Sequence, residues 1–263
     1  MKLSVAIPAH NEEQYIVHCL DSLARQEFAG ELEIVVCLNL CTDKTEEIVR
    51  GFAQRSPWPV KIVFEGRKGV GWARQTACLA TSGEIIASAD ADAIYHSDWA
   101  ARIARAFSED PKLVVLYGPV RLRGFGAFWG FFHPILNDAI THGGRLFGWH
   151  NVIGSNFAMR REAFFAVGGF NTSLKALEDH EIVRRLRRLG RVRYDAHLVA
   201  YASARRYNRL GVWKTISFYV RNAVRALVLK RETEDLEDLT PSPQAPLPLE
   251  GERSRGEGMS RKG

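Results

Sequence analysis

The chain has 263 residues, 46% hydrophobic and 25% charged, with a formal net charge of +6. That is the composition of an ordinary soluble protein, compatible with one α/β domain large enough to bury a sizeable core. It excludes a chain with a membrane span of its own. No uncharged apolar run is long enough to cross a bilayer, and the longest apolar patch, residues 125–136, is broken by Gly126, Gly130, His133 and Pro134.

Met1-Lys2 leads straight into a first strand over residues 3–7, too short for the apolar region of a leader, so no signal peptide is expected. Asn11 is placed to cap a helix running to about Gln26, with Gln14 in the capping-box position. A second strand is predicted over 32–38. A helix opened by Asp43 and Glu46 runs to about Arg55, and a third strand covers 60–64. A helix over 69–81 precedes a strand over 84–89; Ser97 is expected to cap a helix to Phe107, and a strand follows over 113–117. Strands alternating with helices imply a mostly parallel sheet with helices on both faces.

The second half is less regular. Residues 125–147 are aromatic and glycine-rich and receive no element. Beyond them the pattern gives a strand over 157–159, helices over 161–167 and 178–189, short strands over 192–194 and 198–201, and a long helix over 212–230. That helix groups Trp213, Ile216, Val220, Ala223, Val224 and Leu227 on one side. From Glu232 an acidic cluster leads into a Pro/Ser/Gly/Arg-rich tail, for which disorder is expected. The domain is read as 1–231, in two halves, 1–118 and 119–231, the second with a C-terminal helix, followed by a tail over 232–263. No internal repeat is visible.

Asp90 and Asp92 carry the clearest chemical signal. They follow a short apolar strand, at the edge where open α/β sheets bind ligands, and residues two apart point the same way. Two hard carboxylates there suit Mg2+ or Mn2+, which in turn neutralises a diphosphate. Asp179, behind Glu178, opens a helix, where a carboxylate gains from backbone amides and the helix dipole. Arg205 and Arg206 follow the last strand and are candidates to hold a diphosphate. The first strand is followed by neither a Gly-x-Gly-x-x-Gly turn nor a phosphate-binding Gly-Lys loop, against a dehydrogenase or P-loop enzyme. The four cysteines form no zinc spacing and read as reduced, mostly buried thiols.

Taken together, Pro8-Ala9-His10-Asn11-Glu12, Lys68-Gly69-Val70-Gly71-Trp72-Ala73-Arg74, Gly83-Glu84-Ile85-Ile86 and Asp90-Ala91-Asp92 resemble the family-two glycosyltransferases. Gly154-Ser155-Asn156-Phe157-Ala158-Met159-Arg160-Arg161, Gly168-Gly169-Phe170 and Leu177-Glu178-Asp179 continue the family's order, and the resemblance covers about residues 2–210. It implies a GT-A (Rossmann-like) fold, a nucleotide-sugar donor, a divalent cation and inversion at the anomeric carbon. Carried over by position, Pro8, Asn11 and Glu12 contact the nucleotide, and Arg74 approaches the base or diphosphate. Asp90 faces the ribose, Asp92 the metal, and Asp179 is the general base. Met159, Arg160 and Arg161 line the segment before the acceptor side. Asn156 and Glu178, with Arg205 and Arg206, are assigned to the acceptor or diphosphate side. The family's usual uracil-binding aspartate is replaced near Leu38 or Asn39; Asn39 remains able to bond a base edge, so the base stays open.

From Arg184 to Arg231, Asp195 is the one acid among many cations, a field that attracts anionic partners. The expected setting is cytoplasmic, with peripheral contact to an anionic membrane face through the 212–230 helix. The expected acceptor is a lipid-linked saccharide or another envelope or secondary-metabolite molecule. No nucleic-acid-reading module is recognisable. Competing classes are a nucleotidyltransferase, which would carry a Gly-rich loop in place of Pro8-Ala9-His10-Asn11, and a non-catalytic membrane- or nucleotide-sugar-binding protein.

Overall fold

The computed structural model describes residues 1–146 and 150–223 together with residue 225. The expected helix beyond residue 225 and the expected tail over 232–263 lie outside the described residues. The first half contains β1 (Lys2–Ala9), α1 (Ile16–Ala24), β2 (Glu31–Asn39), α2 (Thr45–Arg55), β3 (Val60–Glu65), α3 (Val70–Leu79), β4 (Ile85–Ser88), β5 (Ala93–Tyr95), α4 (Trp99–Glu109) and β6 (Leu113–Tyr117). There follow β7 (Val120–Arg123), α5 (Ala127–Leu146), β8 (Phe157–Arg160), α6 (Arg161–Ala166), α7 (Glu178–Leu186), β9 (Arg191–Tyr194), β10 (Ala200–Ser203), α8 (Arg205–Leu210) and α9 (Val212–Ala223).

The main sheet has seven strands in the order β3-β2-β1-β4-β8-β6-β9. All run parallel except β8, which lies antiparallel between β4 and β6. This is the mostly parallel α/β arrangement the pattern implied. Its central strands β1, β4 and β6 are largely apolar because both faces are covered. Along β1, Leu3, Val5, Ile7 and Ala9 pack on one core with α1, α2 and α4. Ala6 points the other way, into a second core with α3, α6 and α7. The period of two thus sorts one strand's side chains between two helical layers.

A smaller sheet, β5-β10-β7, was not anticipated as a unit. Strand β5 is too short and β7 too short and too polar to stand out, and β10 lies two residues beyond the expected 198–201. The unassigned stretch at 125–147 contains α5, a helix that accommodates Pro134 and several glycines. Its signal was present in Phe131, Phe132, Ile135, Leu136 and Ile140, apolar at helical spacing. Helix α8 was also missed.

Two caps need correction. Asn11 does not cap α1, which starts five residues later at Ile16; its Oδ1 accepts from Thr42 N at 2.8 Å. Ser97 does not cap α4, since its hydroxyl donates to Glu27 at 3.0 Å. Asp43 behaves as expected in part, taking the Thr45 N–H at 3.0 Å beside the start of α2, while Glu46 pairs forward with Arg50. Cys19, Cys37 and Cys78 are buried free thiols, and burial pushes Cys37 and Cys78 up to about 12.

Candidate active site

The carboxyl ends of β1, β2, β3 and β4 converge at one edge of the sheet, and the side chains gathered there come from five further segments. Pro8 lies near the end of β1, just past the last pairing of β1 with β4 at Ala6 and Ser88, so its missing N–H costs no ladder bond on that side. Asn11 follows with φ 52° and ties the turn after β1 to the turn after β2 through Thr42. Glu12 is anchored through its backbone N–H to Thr45 Oγ1 at 2.7 Å.

Arg74, on α3, is 3% exposed and holds the centre of the site. Its Nη1 donates to Ser88 Oγ at 2.6 Å and to the Gly154 carbonyl at 3.0 Å, its Nη2 to Asp90 Oδ1 at 2.9 Å, and its Nε faces Glu178 Oε1 at 3.4 Å. Burial acts to lower its pKa, but the charges of Asp90, Glu178 and Asp179 outweigh burial and raise it above the ordinary value. The sequence placed Arg74 against the base or diphosphate. In the structure its guanidinium is a buried tie between Asp90 and the start of α7, with the charges of three carboxylates around it.

Asp179 is held in place from two sides. Its Oδ2 accepts from Gly154 N at 2.7 Å, and its Oδ1 from His180 N at 2.7 Å with His180 Nδ1 at 2.9 Å. Burial alone would raise its pKa; the His180 charge and bond, with Arg74, lower it and keep it ionised. Glu178 is raised instead, by burial and by Asp179, against the pull of Arg74. Glu178 and Asp179 are thus adjacent carboxylates in one charge system with Arg74. His180, next on α7, is nearly buried; burial acts to lower its pKa, but Asp179 and Glu178 outweigh it and raise it.

Asp92 lies beside Arg205, whose Nη2 is 3.4 Å from its Oδ2. Arg205 also grips Glu12 through two bonds, one at 2.6 Å from Nη1 to Oε2, and stacks 4.5 Å over the Tyr15 ring. Helix α8, absent from the sequence reading, thereby brings Arg205 across to the first loop; Arg206 beside it is exposed. Burial, then the charge of Asp90, raises the pKa of Asp92; burial, and more weakly Asp92, raises Glu12. Asp90 and Asp92 offer hard oxygen donors of the kind a divalent cation takes. Among the described residues no group of three or more potential metal-ligating side chains gathers.

Two sequence candidates turn out to shape the site from below. The Asn39 amide donates to the Glu65 and Arg67 carbonyls, both at 2.8 Å, and accepts from Gly69 N at 3.2 Å, where Gly69 adopts φ 131°. Its polar edge is therefore committed to the loop after β3. Asn156 is fully buried: Oδ1 takes the Trp99 indole N–H at 2.9 Å, and Nδ2 reaches the Pro119 and Leu198 carbonyls at 3.0 and 2.6 Å. It is a packing pin, not an acceptor contact. Since β8 is antiparallel, Gly154 to Asn156 lie at the site edge while Arg160 and Arg161 lie at the opposite edge, bonded to the Leu113 and Thr81 carbonyls.

Residues 4–167 match the family model described as glycosyl transferase family 2. A PGL/p-HBAD biosynthesis glycosyltransferase of Mycobacterium bovis is 28% identical over 177 residues, covering 67% of this chain and 66% of its own. The poly(ribitol-phosphate) beta-N-acetylglucosaminyltransferase TarS of Staphylococcus aureus is 36% identical over 93 residues, or 35% of this chain and 16% of TarS. The chain thus spans well under two thirds of the first curated relatives it matches, 36% of an uncharacterized Nostoc glycosyltransferase and 16% of TarS. The mannosyltransferase PcManGT of Pyrobaculum calidifontis, solved with GDP-Man and Mn2+, superposes with a TM-score of 0.64 at 24% identity, over 83% of this chain and 64% of that one. At that identity the likeness shows the fold.

Proposed function

The chain belongs to glycosyl transferase family 2, and from that premise we propose that it moves a sugar from a nucleotide-sugar donor to an acceptor hydroxyl, with inversion at the anomeric carbon. The observation that carries this reading is the Arg74 tie, which holds Asp90 and the Glu178–Asp179 pair on one buried guanidinium. It brings a strand-edge carboxylate suited to a metal–diphosphate and a helix-start carboxylate suited to a base into one charge system.

Each residue then has a role. Asp92 and Asp90 hold Mg2+ or Mn2+ together with the donor phosphates, and the bound ion supplies neutralisation of the leaving diphosphate. Asp179, ionised, accepts the proton of the acceptor hydroxyl as that oxygen attacks the anomeric carbon in line. Gly154 N and His180 fix its orientation. Glu12 orients Arg205, which with Arg206 faces the diphosphate. Pro8 and Asn11 form the floor against the nucleoside. Asn39 acts on the base by shaping the loop at 65–69. The GDP-Man and Mn2+ bound by PcManGT support a nucleotide-sugar donor and a divalent cation.

The acceptor reading is a lipid-linked saccharide or another envelope or secondary-metabolite molecule, met at the cytoplasmic face of an anionic membrane. Among the described residues no helix is long and apolar enough to cross a membrane. A thermal-shift series tests the donor: nucleoside diphosphates and nucleotide sugars, each with and without Mn2+. A ligand at 100 times its Kd adds about 2.7 kcal/mol to stability. The expected result is a Mn2+-dependent rise with one nucleotide series. No rise with any of them overturns the donor reading.

A further inference from the structure

Helix α5 is amphipathic in the reverse sense to a helix that covers a core. Its polar residues point inward. Asn151 Nδ2 donates to Asn137 Oδ1 at 2.9 Å and Thr141 Oγ1 at 3.2 Å, and the Asp138 carboxylate takes both Arg121 Nη groups at 2.8 and 2.9 Å. Its apolar residues point outward: Phe131, Phe132, Ile135, Leu136 and Ile140 are each 43% to 66% exposed. Helix α9 continues the surface in the same sense. It buries Thr215, Phe218 and Asn222 and leaves Val220 exposed and Trp213 74% exposed. Trp213 meets Trp129 of α5 edge-on, with ring centroids 6.1 Å apart, so the two helices present one face.

The chain around this face is basic. Residues 206–225 carry Arg206, Arg209, Lys214, Arg221 and Arg225 and no carboxylate. The one acid between 124 and 149 is Asp138, which pairs inward with Arg121. A contiguous apolar surface of this kind marks an interaction site. A second copy would bring basic rims together, which opposes association. An anionic bilayer complements both parts, and Trp and Phe beside Lys and Arg are the composition of an interfacial surface.

We propose that the outward face of α5, with Trp213 of α9, is the surface by which the protein lies on an anionic phospholipid bilayer. The α5 side chains enter the headgroup–acyl boundary and the α9 cations meet the lipid phosphates. The inference rests on the membrane reading above and adds the surface that makes the contact.

The test is cosedimentation of the full chain with phosphatidylcholine vesicles, with and without phosphatidylglycerol, at low and high salt. The expected result is binding to anionic vesicles that weakens with salt but does not vanish, because apolar insertion is unscreened. A Phe131→Ser/Ile135→Ser variant is expected to bind about tenfold or more weakly at both salts. A Lys214→Gln/Arg221→Gln variant should lose chiefly the salt-sensitive part. Trp213→Ser, on a separate element, should weaken binding in the α5 sense and guards against a folding defect in the α5 variant. If the α5 and Trp213 variants bind like the parent while the charge variant does not, this surface is wrong and the membrane reading stands. If the parent ignores anionic vesicles at low salt, both fall. A dimer in gel filtration that the α5 variant dissociates, with no vesicle binding, assigns the face to a second copy and overturns the proposal. Nucleotide-induced thermal shifts are expected to be unchanged in every variant, which separates this test from that of the donor site.

Discussion

Arg74 Nη2 lies 2.9 Å from Asp90 Oδ1, and the guanidinium behind that bond is sealed from solvent. The aspartate at the strand edge is therefore set from beneath by a charge that cannot drift. The same guanidinium reaches Ser88, Gly154 and Glu178, so the edge of β4, the entry to β8 and the start of α7 share one support.

Removing that support should be costly. Arg74→Met leaves Asp90 and Glu178 without their buried counter-charge, and breaking a buried ion pair by deleting one partner costs about 3–5 kcal/mol. Urea melts should show this loss. Arg74→Lys should recover little, because one ammonium cannot serve Ser88, Gly154 and Asp90 in the guanidinium's geometry. A lysine variant as stable as the parent would contradict the tie.

Gly154 approaches that guanidinium so closely that a Cβ would lie 2.7 Å from Arg74 Nη2. Gly154→Ala should lose about 1–3 kcal/mol through overpacking. It should also misplace Asp179, whose Oδ2 depends on the Gly154 N–H. Transfer is expected to fall more than nucleotide affinity does, read as kcat against KM.

Asp179→Asn should keep nucleotide-sugar binding and lose transfer by about 100- to 10,000-fold, the usual worth of a general base. Near-normal turnover at saturating acceptor would assign the base elsewhere.

The Asp179–His180 pair should be visible in the pH dependence of stability. The Asp179 pKa is lowered on folding, so its contribution is present above the unfolded carboxylate range and is lost as pH falls through the folded value. The His180 pKa is raised, so its contribution is full below the unfolded imidazole value and is lost as pH rises through the folded one. The pair therefore stabilises most in mildly acidic solution, and stability should decline as pH rises beyond the ordinary histidine range. Urea melts of His180→Gln should lack that decline; an identical slope would mean the pair contributes nothing.

Asp92→Asn should abolish Mn2+-dependent nucleotide-sugar binding, because an amide holds a hard cation far less well than a carboxylate. The unliganded fold should be unharmed or slightly firmer. Burial and the neighbouring Asp90 raise the Asp92 pKa, so its ionised form is a burden to the folded state at neutral pH. Calorimetric titration with Mn2+ and nucleoside diphosphate, beside a melt of the apo variant, checks both halves.

The sequence by itself determined what local pattern can determine. Alternating apolar runs and helices set the parallel sheet, because strands covered on both faces must be apolar throughout. The ordered motifs from Pro8 to Asp179 carried the family resemblance, and Asp90 follows β4 and Asp179 opens α7 as the local pattern implied. What the sequence could not decide was direction and distance between segments. The antiparallel run of β8 sends Arg160 and Arg161 away from the site and buries Asn156 under Trp99. Helix α8 carries Arg205 across 193 positions of chain to Glu12. Arg74 is a buried tie because the charges of Asp90, Glu178 and Asp179, from separate segments, gather around it. The apolar spacing of α5 marked a helix, but only packing shows that its polar side faces the protein, where Arg121 and Asn151 supply partners and so leave the phenylalanines outside.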